Sequence, residues 1–189
     1  KEVEKDIQLL FSQVERCNEI LKRLTLNPIQ EDDFIDINFT MKDYLLEIIS
    51  SFREISKKNF NFNFDQYSNV KKITKSIEIV YGLRNFIGNA NKFSKETVYI
   101  NLKSDSKITE IIIEDDGDGY PRDVLPKIGE PYLRSSEADK KSKTGLGLGL
   151  FIGKTLLEKN FASIDFKNSE TRNGAEVIVK WNNKDLFNI

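Results

Sequence analysis

Glycine and leucine alternate from Gly145 to Leu150, and an apolar segment, Phe151 to Leu157, follows directly. Glycine lets the backbone approach a ligand closely. The apolar segment is suited to a buried helix, and the first turn of a helix leaves amide N–H groups free to bind a phosphate. The alternation is equally compatible with a flexible hinge, so the run alone does not decide between these two roles.

A second group of polar residues lies on one face of a predicted helix. Asn85 and Asn89 are four residues apart and therefore neighbours on that face, which Lys92 and Phe93 extend by another turn. Amide oxygens suit a Mg²⁺ ion that is held mainly by water and phosphate. Lysine supplies a mobile positive charge and phenylalanine a flat apolar wall. The alternative is an ordinary polar surface stripe.

An acidic, glycine-containing turn, Glu114-Asp115-Asp116-Gly117-Asp118-Gly119-Tyr120, ends an isoleucine-rich segment. The two glycines allow a sharp turn, and a buried carboxylate at the end of a strand can accept a hydrogen bond from the amino group of a base. Asp-Gly pairs are also common in simple β-turns, so the alternative is an acidic turn with no ligand.

The elements that must position these groups alternate between strand and helix patterns. Strands are predicted at residues 34–39, 60–64, 98–102, 108–114, 164–166 and 175–181, and helices at 41–52, 73–93 and 146–160. The 73–93 helix is expected to bury Ile77, Val80, Tyr81 and Phe86. Residues 120–144 form a polar loop of a length that is typical of functional loops. The pattern predicts a two-layer α/β sandwich with a mixed sheet.

A separate helix is predicted for residues 1 to about 25, ending at Asn27-Pro28. Its apolar residues follow the a/d spacing of a coiled coil, namely Val3, Ile7, Leu10, Val14, Cys17, Leu21 and Leu24. Such a helix needs a partner, which would be an upstream helix, a second copy of the chain, or both. We therefore expect a helical segment at 1–28 and a globular domain at 29–189.

Composition excludes several classes of function. The net charge of -1 gives no general attraction to nucleic acid, and no apolar stretch has the length of a membrane span. The single cysteine excludes an internal disulfide, and the chain contains no histidine, the commonest acid–base group. Because the chain begins with Lys1, we expect it to be part of a longer protein.

The three motifs, in this order and with a long polar loop before the last, resemble the N, G1 and G2 boxes of the GHKL ATP-binding superfamily. That superfamily includes histidine kinases, Hsp90, DNA gyrase and MutL. The resemblance covers residues 35 to 181 and implies the Bergerat fold with bound ATP and Mg²⁺. Residues 129–135 resemble the F box in the ATP lid of histidine kinases, although Gly129 and Tyr132 replace its usual phenylalanines.

The resemblance also implies roles for individual residues. Asn89 would be the Mg²⁺ ligand, and the other nucleotide-binding residues would be Asn85, Lys92, Phe93, Asp115, Gly117, Gly119, Arg134, Lys143, Thr144, Gly145, Leu146, Gly147, Leu148 and Gly149. Among these, Asp115 would accept from the adenine amino group, Phe93 would lie near the adenine, and Arg134 and Lys143 would contact phosphate from the lid. The segment Gly174 to Val177 lacks the hydroxyl residues often found there, and no ligand contact is predicted for it.

The hydrolytic members of the superfamily carry a glutamate base four residues before the metal-binding asparagine. Asn85 occupies that position here and cannot act as a base, so the resemblance favours a kinase. Without histidine the chain would be a phosphoryl donor only, acting on a histidine outside it and then on a response regulator. Two alternatives remain open: a GHKL-type ATPase, and a degenerate kinase that serves as a dimerising scaffold.

Residues 9–21 resemble the redox box of the RegB/PrrB-type sensor kinases, in which the cysteine matching Cys17 is a redox switch. Alternatively, Cys17 is only a small apolar residue in the helix seam. This resemblance implies a homodimer through the N-terminal helix. It also implies a cytoplasmic location, with any attachment to the inner membrane made by segments upstream of Lys1.

Overall fold

The computed structural model describes residues 39–65, 72–73, 76–131 and 148–186. The predicted N-terminal helix with Cys17, most of the first predicted strand and most of the predicted lid lie outside these ranges. So do the predicted site residues Arg134, Lys143, Thr144, Gly145, Leu146 and Gly147.

Seven strands, four helices and one short 3₁₀ turn make up the described part of the chain. The strands are β1 (Phe39–Thr40), β2 (Asn59–Phe64), β3 (Lys72–Ile73), β4 (Thr97–Ser104), β5 (Ile108–Asp115), β6 (Ser163–Asn168) and β7 (Ala175–Asn182). The helices are α1 (Met41–Ile55), α2 (Ile77–Phe93), α3 (Leu148–Lys159) and α4 (Asn183–Leu186). The 3₁₀ turn spans Leu125–Lys127 and interrupts the predicted loop.

The main sheet has the strand order β2-β4-β5-β7-β6. Strand β2 is parallel to β4, and the other neighbours are antiparallel. The prediction of a mixed sheet is therefore confirmed. The short strands β1 and β3 form a separate antiparallel pair.

One face of the sheet packs against the helices and holds the core. Along β5 the buried side chains alternate, so that Ile111, Ile113 and Asp115 share the helical side. The opposite face carries charged residues, including an ion pair of 2.7 Å between Lys180 and Glu110. The alternation explains why the carboxylate of Asp115 lies on the same side as the helices, and it confirms the two-layer sandwich.

Helix α2 begins later than its apolar pattern predicts. Ile73 belongs to β3 and pairs with Phe39, so the predicted helix start at Ile73 is wrong. The Ser76 hydroxyl accepts from the amide of Ile79 and caps the helix, while the Ser76 amide donates to the Tyr44 hydroxyl at 2.7 Å. These contacts with a distant helix fix the boundary, and a local pattern could not reveal them.

The buried face of α2 also differs in part from the prediction. Val80 and Phe86 are buried as expected, but Ile77 and Tyr81 are only half-buried. The remaining buried positions of the helix are Ile79, Gly82, Leu83, Ile87 and Ala90. Compared with the predicted orientation, the helix is therefore rotated about its axis. Asn85 and Asn89 lie beside the core and not opposite to it.

Glycines allow α2 and α3 to approach each other closely. A Cβ atom on Gly82 would lie 2.5 Å from Cγ of Leu157, and one on Gly153 would lie 2.7 Å from the Phe86 ring. Both distances are too short for real contacts, so larger residues would push the helices apart. This packing sets the distance between the asparagine face of α2 and the start of α3.

Candidate functional site

Asn85 joins the asparagine face of α2 to the start of α3. Its side-chain amide donates to the carbonyl oxygen of Tyr81 at 2.8 Å, one turn earlier. Its oxygen Oδ1 lies 3.5 Å from the position that a Cβ atom on Gly149 would take. The structure thus brings together two motifs that lie more than 60 residues apart in the sequence.

The rest of the predicted α2 face is accessible to a ligand. Asn89 is half-buried, and its side chain makes no hydrogen bond with any residue in the described ranges. Lys92 and Phe93 are exposed, with the Lys92 ammonium 5.0 Å from the centre of the Phe93 ring. An amide oxygen, a mobile cation and an apolar ring therefore follow one another along the last turns of the helix.

Asp115 is buried at the end of β5, with 1% of its surface exposed. Its oxygen Oδ1 accepts from the amides of Gly117 at 2.8 Å and Ala175 at 3.2 Å. Burial raises the pKa of this carboxyl, although those two hydrogen bonds oppose the change. The other oxygen, Oδ2, has no hydrogen-bond partner among the residues that the structure describes, and it can accept from a ligand.

Two glycines make room for this carboxylate. A Cβ atom on Gly117 would lie 2.4 Å from the carbonyl oxygen of Phe93, which explains why the turn passes so close to the end of α2. A Cβ atom on Gly174 would lie 1.8 Å from the carbonyl oxygen of Asp115. Glycine is therefore required at both positions if the strand end is to keep this geometry.

Asp116 anchors the same turn to the connection between α2 and β4. Its carboxylate accepts from the amides of Lys95, Glu96 and Thr97 at 2.7 to 3.1 Å. Burial alone would raise the pKa of Asp116, but these hydrogen bonds outweigh burial and lower it below its ordinary value. The two adjacent aspartates thus differ. Both oxygens of Asp116 accept from backbone amides, whereas one oxygen of Asp115 is available to a ligand.

Asn168 at the end of β6 holds the second half of the turn. Its oxygen accepts from the amide of Tyr120 at 2.6 Å, and its amide donates to the carbonyl oxygen of Tyr120 at 3.0 Å. Gly119 has a φ of +75°, and a Cβ atom there would lie 2.7 Å from Oδ1 of Asn168. This left-handed conformation is the physical reason for glycine at position 119.

Gly129, which departs from the F-box pattern, has a structural explanation of its own. Its φ is +89°, and a Cβ atom there would lie 2.7 Å from Cδ of Lys154 on α3. A phenylalanine would therefore be strained and would displace Lys154. Of the predicted phosphate-binding segment, only Leu148 and Gly149 lie within the described ranges, at the first turn of α3.

The arrangement consists of a buried carboxylate, an asparagine-lined helix and a glycine at the start of a facing helix. Residues 74–185 match the family described as the histidine kinase-, DNA gyrase B- and HSP90-like ATPases. The chain belongs to this family. The ATPase domain that defines the family implies that ATP is the nucleotide it binds.

Two curated relatives of this ATPase-family chain are sensor proteins. It is 32% identical over 175 residues to the sensor histidine kinase RegB of Cereibacter sphaeroides, covering 87% of this chain and 37% of the relative. It is 27% identical over 163 residues to the sensor protein SrrB of Staphylococcus aureus, covering 85% and 24% respectively. The chain thus spans little more than a third of the length of RegB and about a quarter of the length of SrrB.

Solved structures show the same fold. The mycobacterial sensor histidine kinase MprB aligns with a TM-score of 0.63 at 20% identity, over 76% of this chain and 96% of that chain. The catalytic domain of the histidine kinase ThkA aligns with a TM-score of 0.62 at 21% identity, over 76% of this chain and 95% of that chain. The architecture of this ATPase-family member is therefore that of histidine kinase catalytic domains.

Three residues that shape the site have no role in the sequence predictions: Asp116, Asn168 and Gly174. The alternation of β5 could have separated Asp115 from Asp116, because the residue after the last inward position turns away from the core. The turn signal Asn173-Gly174 marks the start of β7, but its contact with Asp115 depends on strand pairing.

In the part of the chain that the structure describes, no helix is long and apolar enough to cross a membrane.

Proposed function

We propose that this chain is the ATP-binding catalytic region of a sensor histidine kinase. It would donate the γ-phosphoryl group of ATP to a histidine on a segment outside this chain, from which a response regulator aspartate would receive it. The observation that supports this most is Asp115, whose buried carboxylate keeps one oxygen available at the end of β5. Family membership and the similarity to the sensor histidine kinase RegB and the sensor protein SrrB support the same assignment.

In this proposal Asp115 accepts from the adenine amino group through Oδ2. Gly117 and Gly119 keep the turn beside the base narrow, and the exposed ring of Phe93 stacks near it. The exposed ammonium of Lys92, 5.0 Å from the centre of the Phe93 ring, would contact phosphate. The arrangement would favour a base with an amino group, such as adenine, because a base without an amino donor would leave the Asp115 oxygen buried and unpaired.

Asn89 is the proposed protein ligand of Mg²⁺. Its half-buried amide has no partner in the described ranges, and an amide oxygen is a suitable ligand for this hard cation. Bound Mg²⁺ would neutralise phosphate charge, which is the main requirement of phosphoryl transfer. Asn85 and the amides of Gly145, Gly147 and Gly149 would hold the phosphates, and Arg134, Lys143, Thr144, Leu146 and Leu148 complete the proposed set.

A kinase is favoured over an ATPase because of the side chain at position 85. An asparagine cannot take a proton from water, and its amide group is already engaged with the Tyr81 carbonyl. The site would therefore bind ATP without activating water to attack it. The γ-phosphate would remain intact until an acceptor histidine reaches it.

Binding and phosphate release by the purified chain test this proposal and separate it from both alternatives. We expect Mg-ATP to bind by isothermal titration calorimetry, with no sustained release of phosphate. Asn89→Ala should remove the Mg²⁺ dependence of binding, whereas Tyr99→Phe, on the opposite face of the sheet, should behave like the parent. Steady hydrolysis would support an ATPase instead, and failure to bind ATP at millimolar concentration would support a scaffold.

The transfer step has its own test. A polypeptide carrying the phospho-accepting histidine helices of a sensor kinase is mixed with the chain and γ-labelled ATP. We expect an acid-labile, alkali-stable label on the acceptor that depends on Asn89 and Asp115. Label that appears equally with the Asn89→Ala and Asp115→Asn variants would contradict the assigned roles.

The assignments at the N-terminus remain proposals as well. Residues 1–28 would form the second helix of the dimerisation and phosphotransfer domain and pair in a homodimer, with residues 29–189 as the catalytic domain. The domain would be cytoplasmic, with any membrane attachment made by other segments. For Cys17 as a redox switch, oxidised protein should show a covalent dimer on non-reducing electrophoresis that Cys17→Ser abolishes; its absence at every redox potential would exclude the disulfide.

A further inference from the structure

The hydroxyl group of Tyr120 is buried without a hydrogen-bond partner among the described residues. Asn168 bonds both the amide and the carbonyl oxygen of Tyr120, so the backbone of this residue is held in place. A buried hydroxyl that makes no hydrogen bond destabilises the folded state, because it has lost its hydrogen bonds to water. A phenylalanine would fill the same space without this cost.

The ring of Tyr120 lies in the apolar layer beside the proposed adenine site. It packs edge-on against Phe166 at 6.3 Å, and Phe166 packs edge-on against Phe86 of α2 at 5.7 Å. Phe86 follows Asn85 directly and touches the α3 position Gly153. The Tyr120 side chain thus belongs to the same wall as α2 and the middle of α3.

The surroundings of the hydroxyl keep it protonated. Burial raises the pKa of Tyr120 well above its ordinary value of 10, and the negative charge of Asp115 raises it further. The hydroxyl is therefore a hydrogen-bond donor, and its residue is fixed by Asn168 in the turn that follows Asp115. A donor and an acceptor on one turn would match an adenine edge, where a ring nitrogen that accepts lies beside the amino group that donates.

We propose that the Tyr120 hydroxyl donates a hydrogen bond to a ring nitrogen of the bound adenine, directly or through one water molecule. This inference rests on the proposed function, since it requires the base to lie against Asp115. Tyr120 would then be a specificity residue: together with Asp115 it would recognise the donor and acceptor pair of adenine. In the unliganded protein the hydroxyl makes no hydrogen bond that would stabilise the fold.

The first test compares the parent with Tyr120→Phe, using Tyr99→Phe as the matched control. We expect Tyr120→Phe to melt at the same or a higher temperature without nucleotide and to bind both ATP and ADP about three- to tenfold more weakly. A purely structural hydroxyl, satisfied by an internal water, would give the opposite pattern of lower stability and unchanged affinity. That pattern would overturn the inference.

The second test identifies the acceptor with 1-deaza-ATP and 7-deaza-ATP, each of which lacks one ring nitrogen. For one of the two analogues, the parent and Tyr120→Phe should bind equally, because the acceptor is already missing. If Tyr120→Phe weakens the binding of ATP and of both analogues by the same factor, the assignment to a ring nitrogen is wrong. If the parent binds no ATP, the proposed function fails; if it binds and Tyr120→Phe binds equally, only this inference fails.

Discussion

The amide of Ala175 at the start of β7 donates to the Asp115 carboxylate at 3.2 Å, although the two residues are 60 positions apart. The preceding residue, Gly174, lets the β7 backbone come close enough for this bond. One carboxylate oxygen is thus fixed by backbone donors, and the other is oriented away from them. The pairing of β5 with β7 therefore prepares the site before any ligand binds.

Nucleotide affinity should depend on pH through Asp115. Because the pKa of this buried carboxyl is raised, it takes up a proton at a pH above its ordinary value of 3.8. The protonated form cannot accept from an amino group, so ATP affinity should fall as the pH is lowered through that range. The raised pKa has the opposite effect on the free energy of unfolding. The contribution of Asp115 to stability is present at low pH and is lost as the pH rises through the folded-state pKa.

Calorimetric titrations with ATP across the acid range test this dependence. The affinity of Asp115→Asn for ATP should lack the part of the pH dependence that comes from Asp115. The titration of ATP itself is common to both proteins and cancels in the comparison. Parallel pH profiles for the parent and Asp115→Asn would show that Asp115 does not contact the base.

Asp116→Ala should destabilise the domain and leave the base-binding oxygen untouched. The substitution removes the acceptor for three backbone amides, and we expect the free energy of unfolding to fall by about 1–2 kcal/mol. Since the pKa of Asp116 is lowered, its stabilisation is complete above its ordinary value of 3.8 and is lost as the pH falls through the folded-state pKa.

Urea unfolding at neutral and acid pH measures this effect. The difference in unfolding free energy between the parent and Asp116→Ala should shrink as the pH is lowered. A variant as stable as the parent at neutral pH would show that the three hydrogen bonds contribute nothing.

Gly82→Ala should destabilise the contact between α2 and α3. Alanine normally favours a helix over glycine, but the added Cβ would overlap the fully buried Leu157, so we expect a loss of about 1–3 kcal/mol. The double variant Gly82→Ala/Leu157→Ala should be more stable than the sum of the single changes predicts, because each residue then makes room for the other.

Thermal and urea unfolding of the four proteins measure this coupling. Gly149→Ala is the control for stability, since its Cβ would lie at an ordinary 3.5 Å from Asn85. Strict additivity of the single changes would contradict the close packing of the two helices.

The sequence predicts those parts of the structure that depend on local chemistry. The strand predicted at 108–114 leads into Asp115, which is buried as expected, and the spacing of Asn85 and Asn89 places both on one face of α2. The start of α2 could not be predicted, because Ile73 fits the helical pattern and yet pairs with Phe39 in another strand. Its position depends on a distant partner.

The same reason explains the residues that sequence analysis overlooks. Gly174 matters through its approach to Asp115, and Asn168 matters through two hydrogen bonds to Tyr120. Both contacts depend on which strands are neighbours in the sheet. The parallel pairing of β2 with β4 likewise follows from the whole topology and not from the pattern of β2 itself.

The most direct test of the account is an isothermal titration of Mg-ATP into the parent and Asp115→Asn. The asparagine can keep its oxygen toward the amides of Gly117 and Ala175, which places its NH₂ group where Oδ2 would meet the adenine amino group. We predict an unchanged fold by circular dichroism and a loss of about 1–3 kcal/mol in binding, roughly ten- to a hundredfold. Equal affinity of the two folded proteins for ATP would contradict the account.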